Sequence, residues 1–345
     1  MKKWLVLLLS LALLLPLAAS AQEVVNVYNW EDYIDEAVLD QFEEETGIHV
    51  NYMRFTTNED MMVSVRANPG AYDVIFPSEY CVERLIAEDL LAEINYDNVP
   101  NMSYTLESLL NPDYDPNNAH SVPYMWGTVG ILYNTTMVSE PVDSWGILWD
   151  TDYMNNVFML DSIRDTMGVT LKYLGYSMNT RDPVALEAAK QKLIEQKQSG
   201  VVKAYQVDET KDKMVAGEAA LAVMWSGDAQ YAIDLNPDLA YAIPKEGSNV
   251  WVDCMVIPKT AKNKENAEAF INFLCRPDIA QKNCEAIWYS TPNTEAIKLM
   301  GEEYTSNTVM NPSEEDIANC EYFNDIDEGF LAVYNALWQE VKNAK

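Results

Sequence analysis

Between residues 24 and 87 the hydrophobic period switches repeatedly from two to about 3.6, and this alternation constrains the fold more than any other feature. Val24 to Trp30 alternates β-branched and polar residues and is read as a strand. Ile34, Val38, Leu39 and Phe42 then recur at helical spacing, Glu43, Glu44 and Glu45 face away, and Gly47 stops the run. His49 to Phe55 reads as a second strand, Asn58 to Val65 as a helix ending near Asn68-Pro69-Gly70, and Tyr72 to Pro77 as a third strand. Ser78 follows as an N-cap for a helix carrying Val82, Leu85 and Ile86. Strand, helix, strand, helix, strand requires a parallel sheet faced by helices, because parallel neighbours need crossover connections. The fold class expected is α/β.

The remainder continues less regularly. Residues 111–126 (NPDYDPNNAHSVPYMW) read as a long irregular connection, and Gly127 to Asn134 resumes as strand. Asn156 to Ser162 and Ala219 to Gly227 read as buried strands, and Pro183 to Gln196 as an amphipathic helix. After residues 250–258 the pattern turns helical, ending in a helix from about Glu328 to Lys342. At 345 residues two domains or lobes are expected, and 48% hydrophobic residues can bury a sizeable core for each.

Lys2 and Lys3 precede an apolar run from Trp4 to Ala19, interrupted by Pro16 and closed by Ala19-Ser20-Ala21, which together form a secretory signal peptide over residues 1–21. An uncleaved anchor is the alternative, but it needs about 20 apolar residues. The mature chain is therefore expected in the periplasm or outside the cell. Losing two lysines with the leader takes the formal charge from −31 to −33. That balance excludes a nucleic-acid partner, whose phosphates require clustered Lys and Arg, and favours a cationic guest. Cys81, Cys254, Cys275, Cys284 and Cys320 are odd in number, so at least one thiol is free, and their spacing matches no zinc site. Cys275 and Cys284 are expected on one helix, too far apart to bridge. No metal or cofactor is expected.

Ligands of such sheets sit beyond the carboxyl ends of the strands. Here those ends read Trp30-Glu31-Asp32-Tyr33, Ser78-Glu79-Tyr80, Asp161-Ser162, Trp225-Ser226-Gly227 and Trp251-Val252-Asp253, with aromatic rings and carboxylates recurring together. A flexible polyamine needs this combination: carboxylates at intervals for its ammonium groups and ring faces for its methylenes. A cation on a ring face contributes about 0.5–2 kcal/mol and each buried methylene about 0.8. Each element also has an ordinary structural reading. A Trp or Tyr more often packs a core, Asp32 and Ser78 fit caps and turns, Asp165 fits a solvated first turn of its helix, and Glu31 fits solvent. The residues alone thus support a two-lobed α/β exported binder with its ligand open.

Eight segments extend the reading. YNWEDYI, ETGIHV, YDVIFPSEY, DPNN with SVPYMWGTVGILYN, MWSGDA, PKEG with VWVDCMVIP, AKNKENAEAFINFLCRPDIA and YSTPN occur in an order that resembles the periplasmic spermidine/putrescine-binding proteins of ABC polyamine importers. The likeness covers nearly the whole mature chain. It implies the type II periplasmic-binding-protein fold, with residues 24–126 plus 252–297 in one lobe and 127–251 plus 298–345 in the other, closing on ligand between them. It further implies a monomer that delivers a polyamine to a membrane permease. Motif by motif, it implies ligand contacts from Trp30, Asp32, Tyr33, Ser78, Tyr80, Asp165, Trp225, Trp251, Asp253 and Tyr289. Asp253, Asp32 and Asp165 would hold ammonium groups and the rings would wall the methylenes. Four positions depart from the pattern or stand second: Glu31 at a small hydroxyl position, Ser162 at an acid, Asp161 just before it, and Phe323 at a polar Gln. By the same resemblance Tyr80 and Trp251 lean towards spermidine and Asp32 towards putrescine.

Two rivals remain at this stage. A receptor for another solute, such as an oligosaccharide, also uses Trp walls with acids, whereas a ferric site wants clustered Tyr, His or a bound anion, and only His49 and His120 are present as histidines. The other is a secreted hydrolase with paired carboxylates, against which the chain shows no GxSxG, HExxH, P-loop or zinc-type Cys/His signature.

Overall fold

The structure is a computed structural model and describes residues 22–344, so the expected leader at 1–21 lies outside the described residues. The chain opens with β1 (Val24–Trp30), α1 (Glu36–Thr46), β2 (His49–Phe55), α2 (Asn58–Ala67), β3 (Val74–Ile75) and α3 (Glu79–Ala87). After an irregular passage come β4 (Ser121–Asn134), β5 (Val157–Leu160), α4 (Ile163–Tyr173), α5 (Pro183–Ser199), β6 (Val202–Gln206) and α6 (Glu209–Val215). The middle closes with β7 (Leu221–Trp225), α7 (Ser226–Leu235), β8 (Leu239–Ala242) and β9 (Val250–Val256). The last part is helical: α8 (Lys264–Leu274), α9 (Pro277–Ile287), α10 (Thr294–Thr305), the short α11 (Glu314–Ile317) and α12 (Glu328–Asn343).

The expected βαβαβ opening is present, with β2 and β3 pairing on either side of β1, both parallel to it. Gly47 caps α1 at φ 75°, a left-handed conformation that costs a glycine nothing sterically. The strands join in the order β2-β1-β3-β9-β4-β7-β5-β6, with β8 paired to β4. The 14-residue β4 carries this continuity. Its first part lies antiparallel to β9, and its second part antiparallel to β7 and β8. The irregular reading of residues 111–126 therefore fails at its C-terminal end. β4 is buried on both faces and so shows no alternation, and Pro123 sits at a register shift where the missing N–H is tolerated.

Period-two alternation divides the interior. On β9, Val250, Val252, Cys254 and Val256 face one core with Tyr28, Ile75 and Trp126, while Met255 faces the other with Val25, Val27 and Tyr124. On β7, Leu221 and Val223 face a third core with Ile131, Met167 and Leu193, and Ala222 and Met224 a fourth with Leu132 and Phe158. Two sheet halves, each covered on both faces, meet along β4 and β9. That is a two-lobed α/β architecture. The chain from the end of α11 runs back across both halves: Ile317, Cys320 and Tyr322 pack against the core behind β9, and Phe323, with Tyr334 and Trp338 of α12, joins the core beside β7.

All five cysteines are free thiols. Cys275 and Cys284 do not share a helix. Cys275 caps α8, Arg276-Pro277 breaks the chain direction, and Cys284 lies on α9. Proline at the first turn of α9 cannot supply the amide that would continue α8.

Candidate functional site

Asp253 lies in the middle of β9 on the face opposite Val252 and Cys254, at 7% exposure. Its Oδ2 accepts from the Tyr33 hydroxyl at 2.8 Å and its Oδ1 from Ser78 Oγ at 2.6 Å. Ser78 does occupy the N-cap position of α3, yet its side chain makes no cap bond, because its hydroxyl is spent on Asp253. Asn58 supports this arrangement, donating from Nδ2 to Ser78 Oγ at 3.0 Å and to the Tyr80 hydroxyl at 2.9 Å. Burial pushes the Asp253 carboxyl up to about 6, and the Ser78 and Tyr33 donors hold it from rising further. At neutral pH it is a buried carboxylate with no cation paired to it among the described residues.

Rings stand around it. Tyr289 lies 5.5 Å from Tyr33 and 5.2 Å from Trp251, edge to face in both pairs. The Trp251 indole N–H is buried and has no hydrogen-bond partner among the described residues. Two glycines admit these rings: a Cβ on Gly127 would stand 2.5 Å from the Trp251 ring, and one on Gly227 2.3 Å from Tyr289. Trp288, at φ 62°, turns the chain out of α9 just before Tyr289. Trp30 ends β1, fixed by its indole N–H to the Phe76 carbonyl at 2.8 Å and by Phe55 at 4.5 Å.

The second sheet half contributes an opposing rim. β5, β6 and β7 are parallel, so their carboxyl ends lie on one side. Ser162 caps α4, and its Oγ donates to Asp165 Oδ2 at 2.6 Å. Asp165 is buried, and burial pushes its carboxyl up to about 6. Beside it, the Arg164 guanidinium sits 4.3 Å from the Phe323 ring centroid and 5.5 Å from that of Tyr80, and donates to the Asn324 carbonyl at 3.0 Å. One cation thus bridges α4, α3 and the returning segment. Trp225 precedes α7 and packs against the core beside β7.

Not every sequence candidate joins this group. Glu31 and Asp32 stand exposed in the turn after β1, Asp32 at φ 49°, and neither side chain makes a hydrogen bond among the described residues. Asp161 points outward to an ion pair with Lys342 at 2.7 Å. Conversely, sequence reasoning misses three residues. Glu79 is 1% exposed; its Oε2 accepts from the Val252 N–H and its Oε1 from the Phe323 N–H. Burial, reinforced by the Asp253 charge, pushes Glu79 up to about 8, so at pH 7 it keeps its proton beside an ionised neighbour. Asp228, one residue past Trp225-Ser226-Gly227, lies beside Tyr289 and pairs with Lys211 at 3.4 Å. The charges of both Asp228 and Asp253 reach Tyr289, which places that ring between two carboxylates. Asp228 carries the sequence signal of an acid in a helix first turn after an aromatic strand end; Lys211 carries none.

Among the described residues no group of three His, Cys, Asp or Glu side chains is arranged to hold a metal ion. The arrangement can grip a guest bearing positive charge on an apolar frame.

The model of bacterial extracellular solute-binding proteins matches residues 37–312. The spermidine/putrescine-binding periplasmic protein of Escherichia coli K12 is 36% identical, over 99% of each chain. The putrescine-binding periplasmic protein of Pseudomonas aeruginosa is 31% identical, over all of both. Among solved structures, the spermidine/putrescine ABC transporter substrate-binding protein PotD of Streptococcus pneumoniae superposes with a TM-score of 0.85 at 39% identity, covering 93% of this chain and 98% of that one. A family model that spans most of the chain and relatives that match it nearly end to end show that this chain belongs to the bacterial extracellular solute-binding proteins.

Proposed function

We propose that this chain captures a polyamine, spermidine or putrescine, outside the cytoplasm and delivers it to an ABC importer. It is a binding protein and not an enzyme. The observation that carries the polyamine reading is Asp253: a buried carboxylate bonded by two hydroxyls, near the Trp251 and Tyr289 rings, with no cation among the described residues to neutralise it. A neutral guest would leave that charge unpaired, at a cost of several kcal/mol. An ammonium pairs with it while its methylenes lie on the rings. Trp30, Tyr80 and Trp225 extend the wall, and Asp165 and Asp32 take further ammonium groups as the halves close. Relatives named for both amines support the same class.

In this proposal residues 24–126 plus 252–297 form one lobe and 127–251 plus 298–345 the other, the protein works as a monomer, and the closed form is what the permease recognises. Closure follows from contacts the guest makes with both lobes at once. Calorimetric titration of denaturation-stripped, refolded protein with spermidine, putrescine and maltotriose tests it. Saturable binding of either amine with none of the sugar is the expected result; sugar binding without amine binding refutes the reading.

A further inference from the structure

The parallel ends of β5, β6 and β7 bring a cation to the same rim as the acids. Lys211, on α6 after β6, places Nζ 3.4 Å from Asp228 Oδ1 and 5.6 Å from the centroid of the Tyr231 ring. A carboxylate plus an aromatic face is the pair of partners a guest ammonium takes at Asp253. The Asp228 charge in turn reaches Tyr289, the ring that also stacks edge to face on Trp251 and Tyr33. The contact is single and long, and the Lys211 side chain is one-third exposed, so it holds the ammonium loosely.

We propose that Lys211 is a specificity-determining residue acting as a resident ammonium: it neutralises Asp228 from inside the protein, leaving the cleft one carboxylate short for a guest with an additional charge. The inference rests on the polyamine reading and deepens it. With Lys211 present, a dication such as putrescine finds its charges matched by the buried Asp253 and Asp165, whereas a trication such as spermidine must displace Lys211 or leave its third ammonium to the exposed Asp32. Asp208 lies close enough for its charge to reach both Asp228 and Tyr289, so freeing Asp228 would expose a doubly acidic corner.

Calorimetric titration of wild type, K211Q, K211R, D228N and the K211Q/D228N double variant with putrescine and spermidine tests the proposal. K211Q should tighten spermidine about tenfold more than putrescine. K211R, which restores the charge, should return the affinity ratio to that of wild type. In the D228N background the K211Q effect should vanish, because no carboxylate remains to be freed. Should K211Q fail to fold, Lys211→Met, which keeps the apolar stem over Tyr231, carries the same comparison. An unchanged ratio in K211Q, or a changed ratio that persists with Asp228→Asn, overturns the inference while wild-type binding leaves the polyamine reading intact. Absence of amine binding by wild type removes both.

Discussion

Asp253 is a charge kept in place against its own preference. Burial raises its folded carboxyl to about 6, whereas an unfolded Asp titrates near 3.9. The folded state therefore holds the proton more tightly. The stability this provides is full below about pH 4 and is lost as pH rises through 6. In the unliganded protein at pH 7.5 the ionised group costs on the order of 3 kcal/mol. Asp253→Asn should consequently melt higher than wild type at pH 7.5 without ligand, with the gap closing near pH 4, as followed by calorimetric melting. The same variant should bind polyamine about 2–4 kcal/mol more weakly by titration. Unchanged affinity would remove Asp253 from the site. Asp165, also raised to about 6, adds to the pH effect, so wild-type amine affinity should fall between pH 7 and 5 as both carboxylates take up protons. Much of this site was legible in residues, because an acid two positions after Trp251 must share its strand face. What pairing supplies was not: Ser78 looks like a helix cap by itself, and only the β3–β9 neighbourhood turns its hydroxyl to Asp253.

Elements that cross between the halves carry a second set of consequences. Neutral Glu79 fastens β9 and the returning segment by accepting the Val252 and Phe323 amides, while Arg84 of α3 grips Asp325 at 2.8 Å and the Ile326 carbonyl. Glu79→Gln keeps one acceptor oxygen but turns its NH2 towards the other amide, so it should cost about 1–3 kcal/mol in urea unfolding. Glu79→Ala orphans two buried amides and should cost about 2–4 kcal/mol. Its folded value near 8 lies above the unfolded carboxylate range. Its contribution to wild-type stability should thus decline from about pH 4 and level off above 8, a slope that Glu79→Gln removes. A glycine makes the companion case: Gly127→Ala drives a methyl into Trp251 and Ser226, and should cost about 1–3 kcal/mol and lower amine affinity together. The opening βαβαβ unit was readable because each helix and strand shows one clean period. β4 was only half readable, since burial on both faces erases alternation, and β6 passed unseen because all five of its residues are half-buried. No local pattern announces that residues 320–327 cross both halves.

At the scale of the molecule, 54 acids against 23 lysines and arginines surround this cleft with a field that falls off over a Debye length. That length shrinks from about 30 Å at 0.01 M to about 10 Å at 0.1 M salt. A cationic guest approaching an anionic chain is therefore steered at low salt and loses most of that help at high salt. Because the steering energy scales with guest charge, spermidine should lose more of its association rate than putrescine over this range, on the order of tenfold against a few-fold, in stopped-flow traces of tryptophan fluorescence. Dissociation should change far less, because Asp253 and its partners lie buried where salt screens weakly. The two rates thus separate what the whole surface contributes from what the cleft contributes. Equal salt dependence for the two amines would mean that the surplus of acids does not act on the guest at all. The negative surface would then serve solubility, and selectivity for charge would rest entirely on the few carboxylates within the rings.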